Sequence, residues 1–220
     1  MKNVRLYSYW RSSASWRARI ALGLKGIQPT IVPIHLVKDG GEQHSADYVA
    51  LNPMAQVPLL VWDDEAGATH TLTQSLAMMA FLDRAVPEPA LVPADPLLAG
   101  RAWELAEIVN SGIQPMQNTT TLQLVDSLGG DRKAHAAGAI AKGLAAMETR
   151  AATLGTDTFF FGTGPSIAEV CLVPQLYNAR RFGLDPEAYP RLLAAEAACA
   201  ELAAFASAHP DAQPDRPDQP

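Results

Sequence analysis

The run Pro87-Glu88-Pro89-Ala90-Leu91-Val92-Pro93-Ala94-Asp95-Pro96 divides the chain. Proline fixes φ and lacks an amide donor, so this stretch suits neither a helix nor a central strand. It reads as a linker over residues 87–96, between an N-terminal domain at 1–86 and a helical domain at 97–209. Residues 210–220 (PDAQPDRPDQP) share the linker's character and are expected to form a loosely ordered surface tail. At 220 residues, one large domain or two small ones would fit the length, and the prolines favour two.

Upstream of the linker, strand and helix signals alternate. Val4 to Trp10 is β-branched and aromatic, a first strand. Ser12 or Ser13 then offers an N-cap, Trp16, Ile20 and Leu24 repeat every four residues, and Gly26 closes the helix. Thr30 to Leu36 is a second strand, placed at an edge by Pro33. Ser45 to Leu51 suits a short helix, and Pro58–Trp62 with Thr69–Thr73 suits a hairpin around Gly67. Ser75 caps a last helix with Leu76, Met79, Ala80 and Leu82 on its face. Downstream, the signals are all helical. Leu98, Ala102, Leu105 and Val109 share one face, as do Ile140, Leu144, Met147, Ala151 and Leu154. Ser166 and Glu169 form a capping box, and residues 190–207 read as one alanine-rich helix. The fold class is therefore a small α/β domain followed by an all-α bundle.

Composition narrows the function. With 48% hydrophobic residues the chain can bury a core, which excludes disorder. A net charge of −6 argues against a general nucleic-acid or anionic-membrane partner. No apolar run approaches the roughly 18 residues of a membrane span, and no signal-peptide core is visible, so a cytoplasmic protein is expected. Histidines 35, 44, 70, 135 and 209 never pair at metal-ligand spacing, so no metal is expected. No nucleotide-binding glycine motif occurs, and Gly40-Gly41 reads as a turn. Cys171 and Cys199 fall on apolar helix faces and are read as buried small hydrophobes.

Three short segments could carry chemistry. Trp10-Arg11-Ser12-Ser13-Ala14-Ser15-Trp16-Arg17 puts serines where a strand gives way to a helix. Plain capping explains them, but free amides and the helix dipole there also favour an anion, and a hydroxyl can donate to a thiolate. Asn52 to Leu60 (NPMAQVPLL) places Pro58 after a turn, a candidate cis bond that would leave the Val57 backbone free for a peptide-like ligand; an ordinary turn fits equally. Gln74-Ser75 opens another helix, where a carboxylate could dock. Together they describe a site for a small anionic peptide bearing a thiol.

With these segments in view, the chain resembles the zeta-class glutathione transferases, the maleylacetoacetate and maleylpyruvate isomerase family. The resemblance rests on SSASWRARIAL (12–22), VKDGG (37–41), ALNPMAQVPLL (50–60), QSLA (74–77), SGIQPMQN (111–118), IAEVCLVPQ (167–175) and NARRF (178–182). It implies the glutathione transferase fold, a thioredoxin-like N-terminal domain with a helical C-terminal domain, and glutathione as cofactor. It implies that Ser12 donates to the glutathione sulfur with Ser13 and the Ala14 amide nearby. Val57 would pair with the cysteinyl unit, Gln74 and Ser75 would hold the γ-glutamyl carboxylate, and Gln43 the glycyl end. Gln114 and Asn118, read as an i, i+4 pair on one helix face, with Thr119 and Thr120, would complete the cofactor contacts. Arg11 and Arg181 match the arginines that would bind a dicarboxylate substrate, whereas Arg17 and Arg19 are read as structural. The family is usually homodimeric, so a homodimer is expected.

The sequence departs from the family at Ala14, where a cysteine is usual. Maleylpyruvate-type relatives can lack that cysteine, so isomerisation of a maleyl-type diacid remains the leading expectation. With no C-x-x-C or C-x-x-S at this turn, a cysteine-based redox mechanism is excluded. The alternatives are a transferase that conjugates or dehalogenates small electrophiles such as α-haloacids, and a glutathione-binding module without catalysis.

Overall fold

Four strands form one sheet in the order β2-β1-β3-β4. They are β1 (Lys2–Ser8), β2 (Thr30–Pro33), β3 (Leu59–Asp63) and β4 (Thr69–Thr73). β1 and β2 are parallel, joined by α1 (Ser13–Leu24), while β3 runs antiparallel to both β1 and β4. Pro33 sits in an edge strand, where its missing donor costs no ladder bond. The hairpin turns at Gly67, whose φ of 87° suits a residue without a Cβ. One sheet face buries Tyr9, Tyr48, Val57, Leu59 and Val61 together, with Tyr48 supplied by α2 (Ala46–Leu51). Leu6, Leu60, Ile20, Leu22, Met78, Met79 and Leu82 are almost wholly buried, the last three from α3 (Ser75–Ala85).

The computed structural model describes residues 1–154 and 158–217. It resolves into two units, Met1–Pro89 joined by the chain from Leu202 onward, and Ala90–Glu201. This corrects the expected boundary at the C-terminal end. The residues read as a loose tail belong to the N-terminal unit: Gln213 is buried and donates to the carbonyls of Ser207 and His209. Residues 218–220 of that stretch, and 155–157 within the expected helical domain, lie outside the described residues. The single helix expected over 190–207 is likewise two, α8 (Pro190–Ala200) and α9 (Ala203–Ala208). Leu202 between them is extended, at φ −93° and ψ 127°. The break follows packing rather than a breaker residue, because α9 lies against α1 at Gly23. A Cβ on that glycine would stand 3.2 Å from the Ala204 Cβ.

In the helical unit, α4 (Pro96–Glu107) starts at Asp95, whose carboxylate accepts from the Leu98 amide at 2.9 Å. A π-helical turn (Ile108–Ile113) and a 3-10 turn (Gln114–Gln117) follow, then α5 (Thr119–Ser127), α6 (Arg132–Ala151) and α7 (Ile167–Arg181). The regular helix expected through Gln114 and Asn118 therefore does not form. Pro115 lacks an amide donor and its ring excludes the preceding turn's carbonyl. The Gln114 amide bonds instead five residues back, to Val109. Ala102, Leu105, Val109, Ile140, Leu144, Met147 and Ala151 are buried as their spacing implies, and Leu98 is 40% exposed.

The capping box of α7 is present and tightly knit. Glu169 is fully buried and accepts from the amides of Phe160 (2.6 Å) and Ser166 (2.8 Å) and from the Ser166 hydroxyl (2.6 Å). Burial pushes its carboxyl above the usual range, opposed by those donors. Glu169→Ala strands two buried amides and breaks the capping box, so stability should fall by about 2–4 kcal/mol in urea unfolding of the full chain.

Candidate functional site

Register brings the candidate segments of the N-terminal unit to one end of the sheet. Tyr7 pairs with Leu59 and Leu59 with Thr73, so the exits of β1 and β4 flank the entrance of β3. Ser12 follows β1, Val57 precedes β3, and Gln74 follows β4. β2, parallel to β1, leaves the sheet at the same end, with the Ile34 amide bonded to the Ser8 carbonyl at 2.8 Å.

Ser12 is the N-cap of α1. Its amide closes the turn onto the Tyr9 carbonyl (3.0 Å), and its Oγ accepts from the Ser15 amide (3.2 Å). A hydroxyl that accepts through a lone pair keeps its own O–H to donate elsewhere. The amides of Ser13 and Ala14 form no hydrogen bond to the chain among the described residues, and no acidic side chain stands in the first turn. Ser12, Ser13 and Ala14 are all partly exposed. This helix start therefore offers one hydroxyl, two amides and the positive end of the dipole to an anion.

Val57 is buried, and the Val57–Pro58 peptide is cis, as the turn-then-proline pattern suggested. Neither backbone group of Val57 bonds to the rest of the chain among the described residues. The loop before it is held by its Gln56 carbonyl, which accepts from the Tyr48 hydroxyl and the Asn52 amide, each at 2.6 Å. Burial pushes the Tyr48 phenol up to about 12, so it stays a donor across the physiological range. Tyr48 and Asn52 are supports that the sequence reading did not single out.

At α3 the structure corrects the cap. Gln74, not Ser75, is the N-cap, and its side chain makes no capping bond. Ser75 is instead the first helical residue and is buried. Gln74 sits at φ 69° and ψ 115°, a conformation that disfavours any side chain. Gln43 lies on the 3-10 turn Glu42–His44, where its Oε1 is buried without a hydrogen-bond partner. Gly41 makes room for it: a Cβ there would fall 2.4 Å from the Gln43 amide nitrogen, and φ is 102°. The pair Gly40-Gly41 is thus a turn with a packing purpose.

Arg11 lies over the Trp10 ring, 5.1 Å from its centroid, and Arg181 over Phe182 at 5.5 Å. In the helical unit, Gln114 and Asn118 are half-buried, and Thr119 and Thr120 are exposed in the first turn of α5. The neighbouring Gln117, which sequence spacing did not flag, pairs reciprocally with Gln175 at 2.7 and 3.2 Å and ties this turn to α7. At the far end of the sheet an open depression is lined by Asn3, Arg5, Thr30 and Asp63. Its carboxylate is already engaged by Asn3 and Thr69, so it offers no comparable site.

The sequence matches the family model for the glutathione S-transferase N-terminal domain over residues 11–85 and that for the C-terminal domain over 130–195. Rat maleylacetoacetate isomerase is 43% identical over 212 residues, covering 96% of this chain and 94% of the relative. A crystal structure of maleylacetoacetate isomerase from Anaeromyxobacter dehalogenans, with glutathione bound in its active site, superposes with a TM-score of 0.88 at 48% identity and 98% coverage of both chains. The holo structure of a maleylpyruvate isomerase, a bacterial zeta-class transferase, gives 0.88 at 39% identity, covering 96% of this chain and 99% of its own. The chain belongs to the zeta-class glutathione transferases.

The backbone of Gln74 supplies a test that needs no ligand. A non-glycine residue held there costs about 1–3 kcal/mol. Gln74→Gly should therefore raise the unfolding free energy by about 0.5–1 kcal/mol in denaturant titration, the relieved strain exceeding the entropy that glycine adds to the unfolded chain.

Proposed function

We propose that this protein is a glutathione-dependent cis–trans isomerase of a maleyl-type diacid. The observation that carries the reading is the sheet end just described: an unneutralised helix start with a spare serine O–H, an unpaired peptide unit at Val57, and an uncapped second helix start. The residues fit glutathione, a γ-glutamyl tripeptide with two carboxylates, one thiol and peptide groups to pair. Ser12, with the amides of Ser13 and Ala14, would hold its sulfur as a thiolate, Val57 its cysteinyl backbone, Gln74 and Ser75 its γ-glutamyl carboxylate, and Gln43 its glycyl end. Gln114, Asn118, Thr119 and Thr120 are retained as cofactor contacts, and Arg181 as a substrate contact, on the family resemblance alone.

Glutathione supplies a thiolate that adds reversibly to a conjugated double bond, which is then single and free to rotate until the thiol leaves. The protein's part is electrostatic. A thiol of ordinary pKa near 8.5 is mostly protonated at pH 7, and donors that bond the anion lower that value. The O–H of Ser12 and the α1 amides are such donors, fixed before the ligand arrives. Arg11, a planar cation, suits a carboxylate of the diacid in bidentate geometry.

The homodimer that the resemblance implies belongs to this reading and predicts about twice the chain mass in light scattering. Among the described residues no helix is long and apolar enough to cross a membrane. We place the activity in the cytoplasm, a setting in which the unbridged Cys171 and Cys199 are at home.

Loss of maleylacetone or maleylpyruvate should depend on glutathione and leave glutathione unconsumed. Absence of that dependence overturns the proposal, and faster turnover of dichloroacetate would favour the transferase alternative. Ser12→Ala should raise the pKa of the bound thiol, read by ultraviolet thiolate absorbance, by about one unit and cut the rate about tenfold. A bound thiol at its solution pKa in the unaltered protein would indicate a binding module without catalysis.

A further inference from the structure

The turn that presents Ser12 is gripped by two charged side chains with no part in the site itself. Arg19, about two turns beyond it on α1, is 6% exposed. Its guanidinium donates to the Ser8 hydroxyl (2.9 Å), the Tyr9 carbonyl (3.4 Å) and the Trp10 carbonyl (3.0 Å), and its Nε to the Ala208 carbonyl (3.0 Å). From the C-terminal segment, Asp215 Oδ2 accepts from the Trp10 amide at 2.8 Å. The peptide groups on both sides of Trp10 are thus fixed, one residue before Arg11 and two before Ser12. Among the described residues of that segment, Asp211 pairs with Arg216 at 3.2 Å and lies 3.6 Å from the His209 ring nitrogen.

We infer that Asp215 and Arg19 are positioning residues, a latch through which the C-terminal segment holds the Ser12 turn in its thiolate-binding geometry. The inference rests on the reading of Ser12 given above. Arg19 must stay charged to serve, and although burial lowers its pKa to about 10, opposed by Asp215, it is protonated throughout the working range. The carboxylate matters here as an acceptor, which yields a discriminating variant. Asp215→Asn keeps an oxygen within reach of the Trp10 amide and removes the charge, whereas Asp215→Ala removes both.

A through-space effect of the negative charge would make the two variants alike, and removing a nearby anion would lower the pKa of a bound thiol. Positioning makes them differ and moves alanine the other way. In the full chain, Asp215→Ala should raise the bound-thiol pKa by about half a unit, a roughly threefold smaller thiolate fraction at fixed pH. Amide exchange of the peptide spanning residues 9–16 should quicken about tenfold. Asp215→Asn should match the unaltered protein in both readouts, and Asp215→Ser, too short to reach, should follow alanine if the alanine variant folds poorly. Unchanged exchange and thiol pKa in the alanine or serine variant, or identical behaviour of asparagine and alanine, overturns the latch. Should the unaltered protein bind glutathione with no depressed thiol pKa, the Ser12 reading fails, and the exchange data alone decide the latch.

Discussion

The pairing of Tyr7 with Leu59 and of Leu59 with Thr73 is the constraint on which the site depends. Antiparallel neighbours enter and leave a sheet at opposite ends, so a shared row of residues makes the exits of β1 and β4 and the entrance of β3 adjacent. A slip of one residue in either pairing would exchange the two faces of a strand, and Leu59, Leu60 and Val61 are all buried, so both faces of β3 are packed against fitted neighbours and the core itself protects the register. Stability and site geometry are here one requirement. The hydrophobic side chains hold the strands in line, and the loops that follow inherit their places.

Helix starts elsewhere in the molecule show what the two at this end lack. At α8, the amides of Arg191 and Leu192 donate to the carboxylate of Glu148, with distances of 3.1 to 3.2 Å. At α6, Asp131 accepts from the Lys133 and Ala134 amides. In both, the chain supplies its own anion to the positive end of the dipole. At α1 and α3 no acidic residue occupies the first turn, and at α3 not even a side-chain cap is made. Other starts, such as α5, are uncapped as well, so the lack alone does not make a site. What sets these two apart is that the register brings them together beside a Val57 peptide unit that makes no hydrogen bond to the chain among the described residues.

Much of this was legible in the sequence because it is local. The β3–β4 hairpin, the Ser166-Glu169 box, the Ser12 cap and the cis-proline candidate each follow from a few neighbouring residues whose conformations are chemically restricted. What was not legible is tertiary. Nothing between Ala200 and Ala203 breaks a helix by itself, and the division into α8 and α9 follows from the fit of Ala204 against Gly23, about 180 positions away. The π-helical turn shifts the helical phase by one residue, which a 3.6-residue period cannot register. The Gln117–Gln175 pair and the Asp215–Trp10 bond join residues 58 and 205 positions apart. The docking of residues 210–217 is of the same kind: their prolines disfavour helix, but only the surface they pack on shows that extended chain can be held in place.

Sulfur chemistry is where sequence and structure meet most closely. Cys171 and Cys199 are fully buried, and burial, with Glu169 and Glu196 nearby, pushes the Cys199 thiol well above its ordinary value. Both side chains are sealed from solvent, so neither is placed to act as a nucleophile. Ala14, where the family resemblance leads one to expect a cysteine, adds no sulfur of its own. The donors that favour an anion at this helix start are the Ser12 hydroxyl and the amides of Ser13 and Ala14. An amide is indifferent to the side chain it carries. Exchange of cysteine for alanine at this position keeps the Ser12 hydroxyl and both backbone donors and removes only an S–H, a weak donor, so what this helix start offers an anion depends little on the side chain of residue 14.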